Sequence, residues 1–144
     1  MILIGDTSGL IAAFNSADPE HATARSVLQH AGSTVVSPLV LLEIEHVITR
    51  NLNRDVAYSV NDWLLAQEGV GRVEIGAVPA ELLRTARRVQ RHYAALRLDL
   101  TDSVNVALAE RYETPDILTL DRRDFRAVAP LTRHDAFRVL PDDY

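Results

Sequence analysis

The chain alternates short apolar runs with longer stretches in which apolar residues recur every three or four positions. The runs predict buried strands at residues 2–5, 34–36, 72–75, 117–120 and 137–140. The periodic stretches predict helices over residues 7–15, 18–30, 38–51, 54–67, 79–95 and 101–112. Strands that alternate with helices are typical of an α/β fold, so we expect a three-layer α/β/α domain with a mostly parallel central sheet. At 144 residues, without a linker or repeat, the sequence predicts a single domain over residues 1–144.

Two of the predicted strands run into an aspartate. The run Ile2–Gly5 is followed by Asp6, and a helix opens directly afterwards with Thr7 or Ser8 as the expected N-cap. The run at 117–120 is followed by Asp121 in the same way. Because ligands of open α/β sheets bind at the carboxyl ends of strands, the two aspartates predict one shared site. Sites built from carboxylates in this way most often bind metal ions.

Three further acids have both a structural and a functional interpretation. Glu43 lies in an apolar part of the helix that Ser37-Pro38 opens, where a carboxylate is costly to bury unless it is paired or bound to metal. A solvent-facing position explains Glu43 equally well. Asp99 as a cap and Asp102 in a first helical turn have an adequate structural explanation, and Asp121 is explained as the cap of the turn 122–125. Together, however, the four acids that are expected at one edge of the sheet favour a common site.

Composition restricts the chemistry of that site. The chain has no cysteine, so a metal must be held by oxygen or imidazole, and oxygen ligands favour Mg²⁺ or Mn²⁺. All fifteen basic residues are arginine, and the absence of lysine excludes any mechanism that needs a catalytic lysine. The net charge of -5 argues against a protein that coats nucleic acid through a bulk positive field. No apolar run approaches the roughly 20 residues of a membrane span, and no signal peptide is apparent, so we expect a cytoplasmic protein.

The order and spacing of the acidic motifs resemble the PIN domain, and within it the VapC toxins of bacterial toxin–antitoxin pairs. The resemblance covers essentially the whole chain. Its motifs are Ile4-Gly5-Asp6-Thr7-Ser8, then Ser37-Pro38 with Glu43, then Asp102 at the start of Ser103-Val104-Asn105-Val106-Ala107-Leu108-Ala109-Glu110-Arg111, and finally Leu118-Thr119-Leu120-Asp121-Arg122-Arg123-Asp124-Phe125. Gly5 is a slight departure, because an apolar or β-branched residue is more usual in the family before the first aspartate.

The resemblance implies an endoribonuclease that depends on Mg²⁺ or Mn²⁺. Carried over by position, its catalytic acids are Asp6, Glu43, Asp102 and Asp121, with Asp6 and Asp102 as the principal metal ligands. The family's fourth acidic position is variable, which makes Asp121 the least certain of the four. The resemblance also implies auxiliary roles near the metal or the phosphate, which we assign to Asp99, Asp124, Thr7, Ser8 and Thr119.

The resemblance further implies partners. They are an RNA substrate, a small antitoxin whose carboxyl-terminal segment enters the active-site groove, and a second copy of the toxin in a homodimer. Candidates for contact with RNA are Arg50, Arg122, Arg123 and Arg126, whereas the stripe of Arg84, Arg87, Arg88 and Arg91 is interpreted as a solvated helix face. Candidate protein-binding surfaces are the apolar faces of the helix with Leu10, Ile11 and Phe14 and of the helix from Leu39 to Val47.

Three alternatives remain to be weighed. A receiver-type signalling domain also gathers acids at strand ends, but its chemistry needs a lysine that this chain lacks. A haloacid-dehalogenase-like phosphatase needs a second acid two residues after the first, where this chain has Ser8. A non-catalytic PIN scaffold that only binds a protein partner would have no reason to keep the four acids.

Overall fold

A computed structural model describes residues 1–144 of the chain. Five strands alternate with helices along it. The strands are β1 (Ile2–Gly5), β2 (Ser33–Val36), β3 (Val73–Ile75), β4 (Asp116–Leu118) and β5 (Arg138–Leu140). The α-helices are α1 (Thr7–Phe14), α2 (His21–His30), α3 (Pro38–Asn51), α4 (Arg54–Gly69), α5 (Ala80–His92), α6 (Leu100–Arg111) and α7 (Arg122–Ala127), and a 3₁₀ turn spans Ala94–Leu96.

The sheet is parallel throughout and has the strand order β3-β2-β1-β4-β5. The chain builds one half of the sheet outward from β1 and then returns to the other side of β1 with β4. The order therefore reverses between β1 and β4, and in open α/β sheets this is the point where a crevice forms at the carboxyl ends of the strands. Asp6 follows β1 at this crevice, and the loop after β4 lies beside it, because the Asp6 amide donates to the Leu118 carbonyl over 3.0 Å.

Two apolar cores cover the two faces of the sheet. One core packs α1, α2, α3 and α4 against strand side chains such as Leu3 and Val36. The other packs α5, α6 and α7 against the opposite face, which includes Ile4 and Val35. Alternate residues of each strand are thus buried in different cores, as expected for a sheet that is covered on both sides. The predicted three-layer α/β/α fold is confirmed.

A close approach joins α1 to the end of β4. A Cβ atom placed on Gly9 would lie 2.4 Å from the Leu118 carbonyl oxygen, so only glycine fits at this position of α1. The contact fixes the start of α1, and with it Asp6, against the strand that leads to the second half of the site.

The predicted ends of three helices are wrong. Helix α2 begins at His21 and not at Asp18-Pro19, because the Asp18 carboxylate accepts a hydrogen bond from the Glu20 amide over 2.8 Å and forms a turn there. Helix α5 ends at His92, and the following residues tighten into the 3₁₀ turn. Helix α4 continues to Gly69, two residues beyond the predicted end.

Three differences affect the predicted site. The N-cap of α1 is Asp6 itself, not Thr7 or Ser8, and its side chain makes no capping hydrogen bond. Strand β4 ends at Leu118, because the Leu120 amide turns away to donate to the Ser8 hydroxyl over 2.9 Å. Asp121 is therefore not at the strand end. It is the N-cap of α7, a helix that the sequence pattern showed only as a turn.

The N-caps predicted for α3 and α6 are confirmed. Ser37 accepts from the Leu39 amide at the start of α3, with Pro38 as the first helical residue. Asp99 accepts from the Asp102 amide over 2.8 Å and thereby fixes the first turn of α6. No helix combines the length and the apolar composition that crossing a membrane would require.

Candidate metal centre at the carboxyl edge of the sheet

Asp6 lies at the bottom of the crevice and is only 3% exposed. One carboxylate oxygen accepts a hydrogen bond of 2.7 Å from the Thr119 hydroxyl, and the other accepts one of 3.1 Å from the Asn105 side-chain amide. Burial raises the pKa of Asp6 to about 6, against the hydrogen bond from Thr119, which lowers it, and the charges of Glu43 and Asp121 raise it further. Asp6 is thus a fixed carboxylate that no cation neutralises within the protein.

Thr119 connects the two halves of the site. Its hydroxyl donates to Asp6 and also accepts from the Asp121 amide over 2.9 Å, while its own amide continues the sheet by donating to Leu140 over 2.9 Å. Ser8 lies beside it, with the two hydroxyl oxygens 3.3 Å apart. The auxiliary residues Ser8 and Thr119 therefore hold the loop after β4 against the start of α1. Thr7, the third hydroxyl residue, is buried with its oxygen unpaired.

The structure brings three carboxylates together above Asp6. Oxygen atoms of Asp102, Asp121 and Asp124 all lie within 4.8 Å of one another, and we call these residues the carboxylate cluster. Asp102 comes from the first turn of α6, Asp121 caps α7 by accepting from the Asp124 amide over 3.3 Å, and Asp124 lies in the first turn of α7. Two of the predicted catalytic acids and one predicted auxiliary therefore form the most compact part of the site.

Electrostatic repulsion is strong in this cluster. Burial raises the pKa of Asp102 to about 9, with the charges of Asp6, Asp99, Asp121 and Glu43 adding to the shift. Burial and the charge of Asp121 also raise the pKa of Asp124. Glu43, half-buried on α3, is close enough for its charge to act on both Asp6 and Asp102. Asp6 and Asp102 therefore each lie within electrostatic reach of the other three predicted catalytic acids.

The donor set fits a hard divalent cation. The cluster offers only carboxylate oxygens, the ligands that Mg²⁺ and Mn²⁺ prefer. One oxygen of Asp124 is buried and has no hydrogen-bond partner, which is costly unless another group occupies that side. A cation bound among Asp102, Asp121 and Asp124 would supply this partner, and it would offset the like charges that, together with burial, raise the pKa values of Asp102 and Asp124.

The predicted RNA-contacting arginines fall into two groups. Arg50, in the last turn of α3, and Arg123, on α7, are exposed and make no ion pair. Arg122 instead forms ion pairs with Glu20 over 3.0 Å and with Asp142 over 2.6 Å. Arg126 is likewise paired, with Asp143 over 2.7 Å. The stripe of arginines on α5 is exposed, as its interpretation as a solvated face requires.

Sequence reasoning missed Asn105. It lies one turn after Asp102 on the buried side of α6, where its neighbours Val104 and Val106 belong to the core. Its amide nitrogen holds Asp6, while its amide oxygen is buried without a partner. The available signal was a polar amide inside an otherwise apolar helical segment, three residues after an acid of the site.

Comparison with known proteins identifies relatives along nearly the whole chain. The PIN domain family model matches residues 3–131. The chain is 35% identical over 140 residues to Ribonuclease VapC26 of Mycobacterium tuberculosis, a match that covers 96% of this chain and 100% of that one.

Two solved structures share the fold. The Mycobacterium tuberculosis toxin VapC20, described as cleaving the sarcin-ricin loop, matches with a TM-score of 0.74 and 21% identity over 87% of this chain and 93% of that chain. The Rickettsia felis VapBC2 complex, bound to a DNA fragment from its promoter, matches with a TM-score of 0.66 and 16% identity over 92% of this chain and 96% of that chain.

Proposed function

Because the chain belongs to the PIN-domain family, among the relatives of the VapC ribonucleases, we propose that it is the toxin of a toxin–antitoxin pair and hydrolyses RNA phosphodiester bonds as an endoribonuclease. The observation that carries this proposal is the carboxylate cluster beside Asp6 at the switch point of the sheet. An uncompensated group of half-buried acids destabilises the fold. A bound cation, and the reaction that such a cation supports, would explain why the chain gathers these acids in one place.

We propose Mg²⁺ or Mn²⁺ as the cofactor. Asp102, Asp121 and Asp124 are the proposed ligands together with Asp6, directly or through bound water, and Glu43 completes the surrounding charge. When bound, such a cation orients a water molecule, lowers its pKa and stabilises charge on the phosphate and the leaving oxygen.

The chain's own residues position these acids and the RNA. Thr119 and Asn105 fix both oxygens of Asp6, so that its carboxylate presents one geometry to the site. Asp99 fixes the first turn of α6 beneath Asp102. Glu43 of α3, whose charge acts on Asp6 and Asp102, is the proposed acceptor of a proton from the attacking water. The exposed arginines Arg50 and Arg123 are the proposed contacts to the RNA backbone, whereas Arg122 is held in ion pairs.

The proposed antitoxin partner has a candidate groove on the α1–α2–α4 side of the molecule. A cavity of about 500 Å³ is lined by apolar residues that include Phe14, Leu28, Val56 and Trp63. Trp63, the only tryptophan, is 42% exposed and packs edge-on against Phe14 at 5.0 Å between ring centroids. Of the apolar face predicted around α1, Leu10 is fully buried in the core, whereas Ile11 and Phe14 are partly exposed and can contact a partner.

We propose that the antitoxin also inserts a cation beside the carboxylate cluster, where it would offset the repulsion without metal. The proposed homodimer contact uses exposed apolar residues of α3, of its C-cap and of α4, among them Leu42, Leu52 and Leu65. Light scattering of the purified toxin, with and without antitoxin, measures both associations.

The activity is tested with a matched pair of glutamates on α3. The charge of Glu43 acts on Asp102 of the cluster. Glu45, two residues further along α3, instead forms an ion pair with Arg54 at a distance of 3.9 Å. With Mn²⁺ or Mg²⁺ and a structured RNA as substrate, Glu43→Gln should cleave at least roughly 10-fold more slowly than the native chain, and Glu45→Gln should cleave at the native rate. A chelator should abolish cleavage by all three.

A non-catalytic scaffold is the alternative that this experiment decides. If the native chain shows no metal-dependent cleavage of any RNA tested, while it still binds its antitoxin, the scaffold interpretation holds. Equal cleavage rates for Glu43→Gln and Glu45→Gln would mean that the chain is a nuclease but that Glu43 takes no part in catalysis.

A further inference from the structure

Helix α7 carries two of the three acids of the carboxylate cluster, yet little within the helix itself stabilises it. It has six residues, and its first backbone hydrogen bond, from the Phe125 amide to the Asp121 carbonyl, is long at 3.5 Å. Isolated helices of this length do not form in water. Contacts with the rest of the protein must therefore hold α7 and determine where Asp121 and Asp124 lie.

Repulsion acts on this helix from one side. Asp121 and Asp124 face Asp102 of α6, and all three are carboxylates within 4.8 Å of one another. The charge of Asp121 also acts on Asp6 at the end of β1, so the acids of α7 are pushed away from this edge of the sheet until a cation offsets their charge. The buried Phe125, packed edge-on against Phe137 at 5.7 Å, anchors one face of the helix in the core.

A pair of arginines anchors the neighbouring side of the helix. Arg122 and Arg126 are four residues apart and so project from the same side of α7. The two guanidinium groups bind consecutive acids in the turn that follows β5, at residues 141–143. Arg122 contacts both carboxylate oxygens of Asp142 over 2.6 and 2.9 Å, and Arg126 contacts both oxygens of Asp143 over 2.7 Å each.

The turn itself is fixed to the sheet. The Asp143 carboxylate accepts from the Val139 amide over 2.8 Å, and the Asp143 amide donates back to the Val139 carbonyl over 2.9 Å. Arg122 also reaches Glu20, just before α2, over 3.0 Å. Single ion pairs on a surface contribute little, but bidentate pairs that act together are the exception.

We propose that Arg122, Arg126, Asp142 and Asp143 form a clamp that holds α7 against the repulsion of the carboxylate cluster and so sets the affinity of the metal site. The four are positioning residues, since they act on the cation only through Asp121 and Asp124. This inference rests on the proposed function, because it assumes that the cluster binds a divalent cation.

The sign of an arginine substitution separates the clamp from a simple charge effect. Removing two positive charges beside an acidic site should strengthen cation binding if only the electrostatic field matters. Under the clamp, Arg122→Gln/Arg126→Gln instead weakens binding, because α7 moves away from α6. The matched control is Arg54→Gln on α4, whose pair with Glu45 at 3.9 Å involves neither α7 nor the turn after β5.

The experiment measures Mn²⁺ binding by calorimetry without RNA, together with hydrogen exchange of the α7 amides. We expect the dissociation constant of the double arginine variant to rise about fivefold or more, and its α7 amides to exchange faster while those of α6 do not. Asp142→Asn/Asp143→Asn should show the same faster exchange. Arg54→Gln should match the native chain in both measurements. If the double arginine variant unfolds at the assay temperature, the single variant Arg126→Gln is measured in its place.

Two results would overturn the proposal, and they differ in scope. Unchanged or tighter Mn²⁺ binding by the arginine variants, with unchanged α7 exchange, removes the clamp and leaves the proposed nuclease site intact. Absence of Mn²⁺ binding by the native chain removes the metal site and the clamp together.

Discussion

Thr119 donates a hydrogen bond of 2.7 Å to Asp6, although the two residues are 113 positions apart in the chain. The bond joins the loop after β4 to the end of β1 across the switch point of the sheet. Because Thr119 also accepts from the Asp121 amide, the same hydroxyl links the buried acid to the helix that carries the rest of the site. The site is therefore formed only when β1 and β4 are paired.

Thr119→Val should destabilise the protein and impair the site. It keeps the shape of the side chain but leaves a buried oxygen of Asp6 without its donor, which costs about 1–3 kcal/mol. It should also raise the pKa of Asp6, since the hydrogen bond lowers it. Urea unfolding at pH 7 measures the loss, and Thr119→Ser, which keeps the hydroxyl, is the control. If the valine variant is as stable as the serine variant, the hydrogen bond contributes nothing.

The metal-free protein should become less stable as the pH rises. In the folded state the pKa of Asp102 is raised from 3.8 to about 9 and that of Asp6 to about 6. Between about pH 4 and these values, the folded state therefore holds protons that the unfolded state has lost. The free energy of unfolding falls with pH wherever the folded state binds more protons, so the decline covers this window.

Asp102→Asn tests the origin of that decline, because the amide has no proton to lose. At pH 8 we expect this variant to be roughly 1–3 kcal/mol more stable than the native chain, without metal. Asp116→Asn, which lies outside the cluster, should keep the native decline, and saturating Mn²⁺ should flatten the native curve. If the free energy of unfolding of the native chain instead rises between pH 6 and pH 9, the pKa of Asp102 is not raised in the folded state.

The groove beside Trp63 should respond to the antitoxin. Binding should shift the fluorescence of this single tryptophan to shorter wavelength, as its exposed ring is covered. Trp63→Ala should weaken binding by about tenfold or more, as expected for an aromatic anchor. Tyr58→Ala is the matched control, because Tyr58 is a comparably exposed aromatic of α4 that does not line the groove. Equal losses for the two variants would place the antitoxin elsewhere.

The fold and the main acids could be predicted because they follow from local patterns. Short apolar runs and helical periodicity identify most elements, and Asp6 directly follows a strand. Helix α7 could not be predicted as a helix, since six residues are too few to show a period. The prediction that Asp121 directly follows a strand is wrong, because β4 ends at Leu118 although the apolar run continues to Leu120.

Other parts of the site depend on contacts between distant segments. Asn105 holds Asp6 across 99 positions, and nothing local to α6 reveals that partner. The ion pairs of Arg122 and Arg126 depend on where the turn after β5 passes α7. Their positions beside Asp121 in the sequence made both arginines candidates for RNA contact, and only the folded chain shows their acidic partners.

Single-turnover cleavage of RNA by Asp6→Asn and Asp102→Asn tests the central claim most directly. Asparagine keeps the shape of aspartate, and at position 6 the unpaired oxygen of Asn105 can accept from the new amide if its own side chain turns over. Both variants should therefore fold, yet lose roughly 10²-fold or more in rate, because an amide is a poor ligand for a hard cation.

Two further variants complete this measurement. Asp121→Asn should lose less, since Asp124 lies in the same cluster, and Asp116→Asn should cleave like the native chain. The account predicts cleavage that requires Mg²⁺ or Mn²⁺ and is lost when Asp6 or Asp102 is replaced. Full activity of folded Asp6→Asn would contradict it and would remove the metal mechanism.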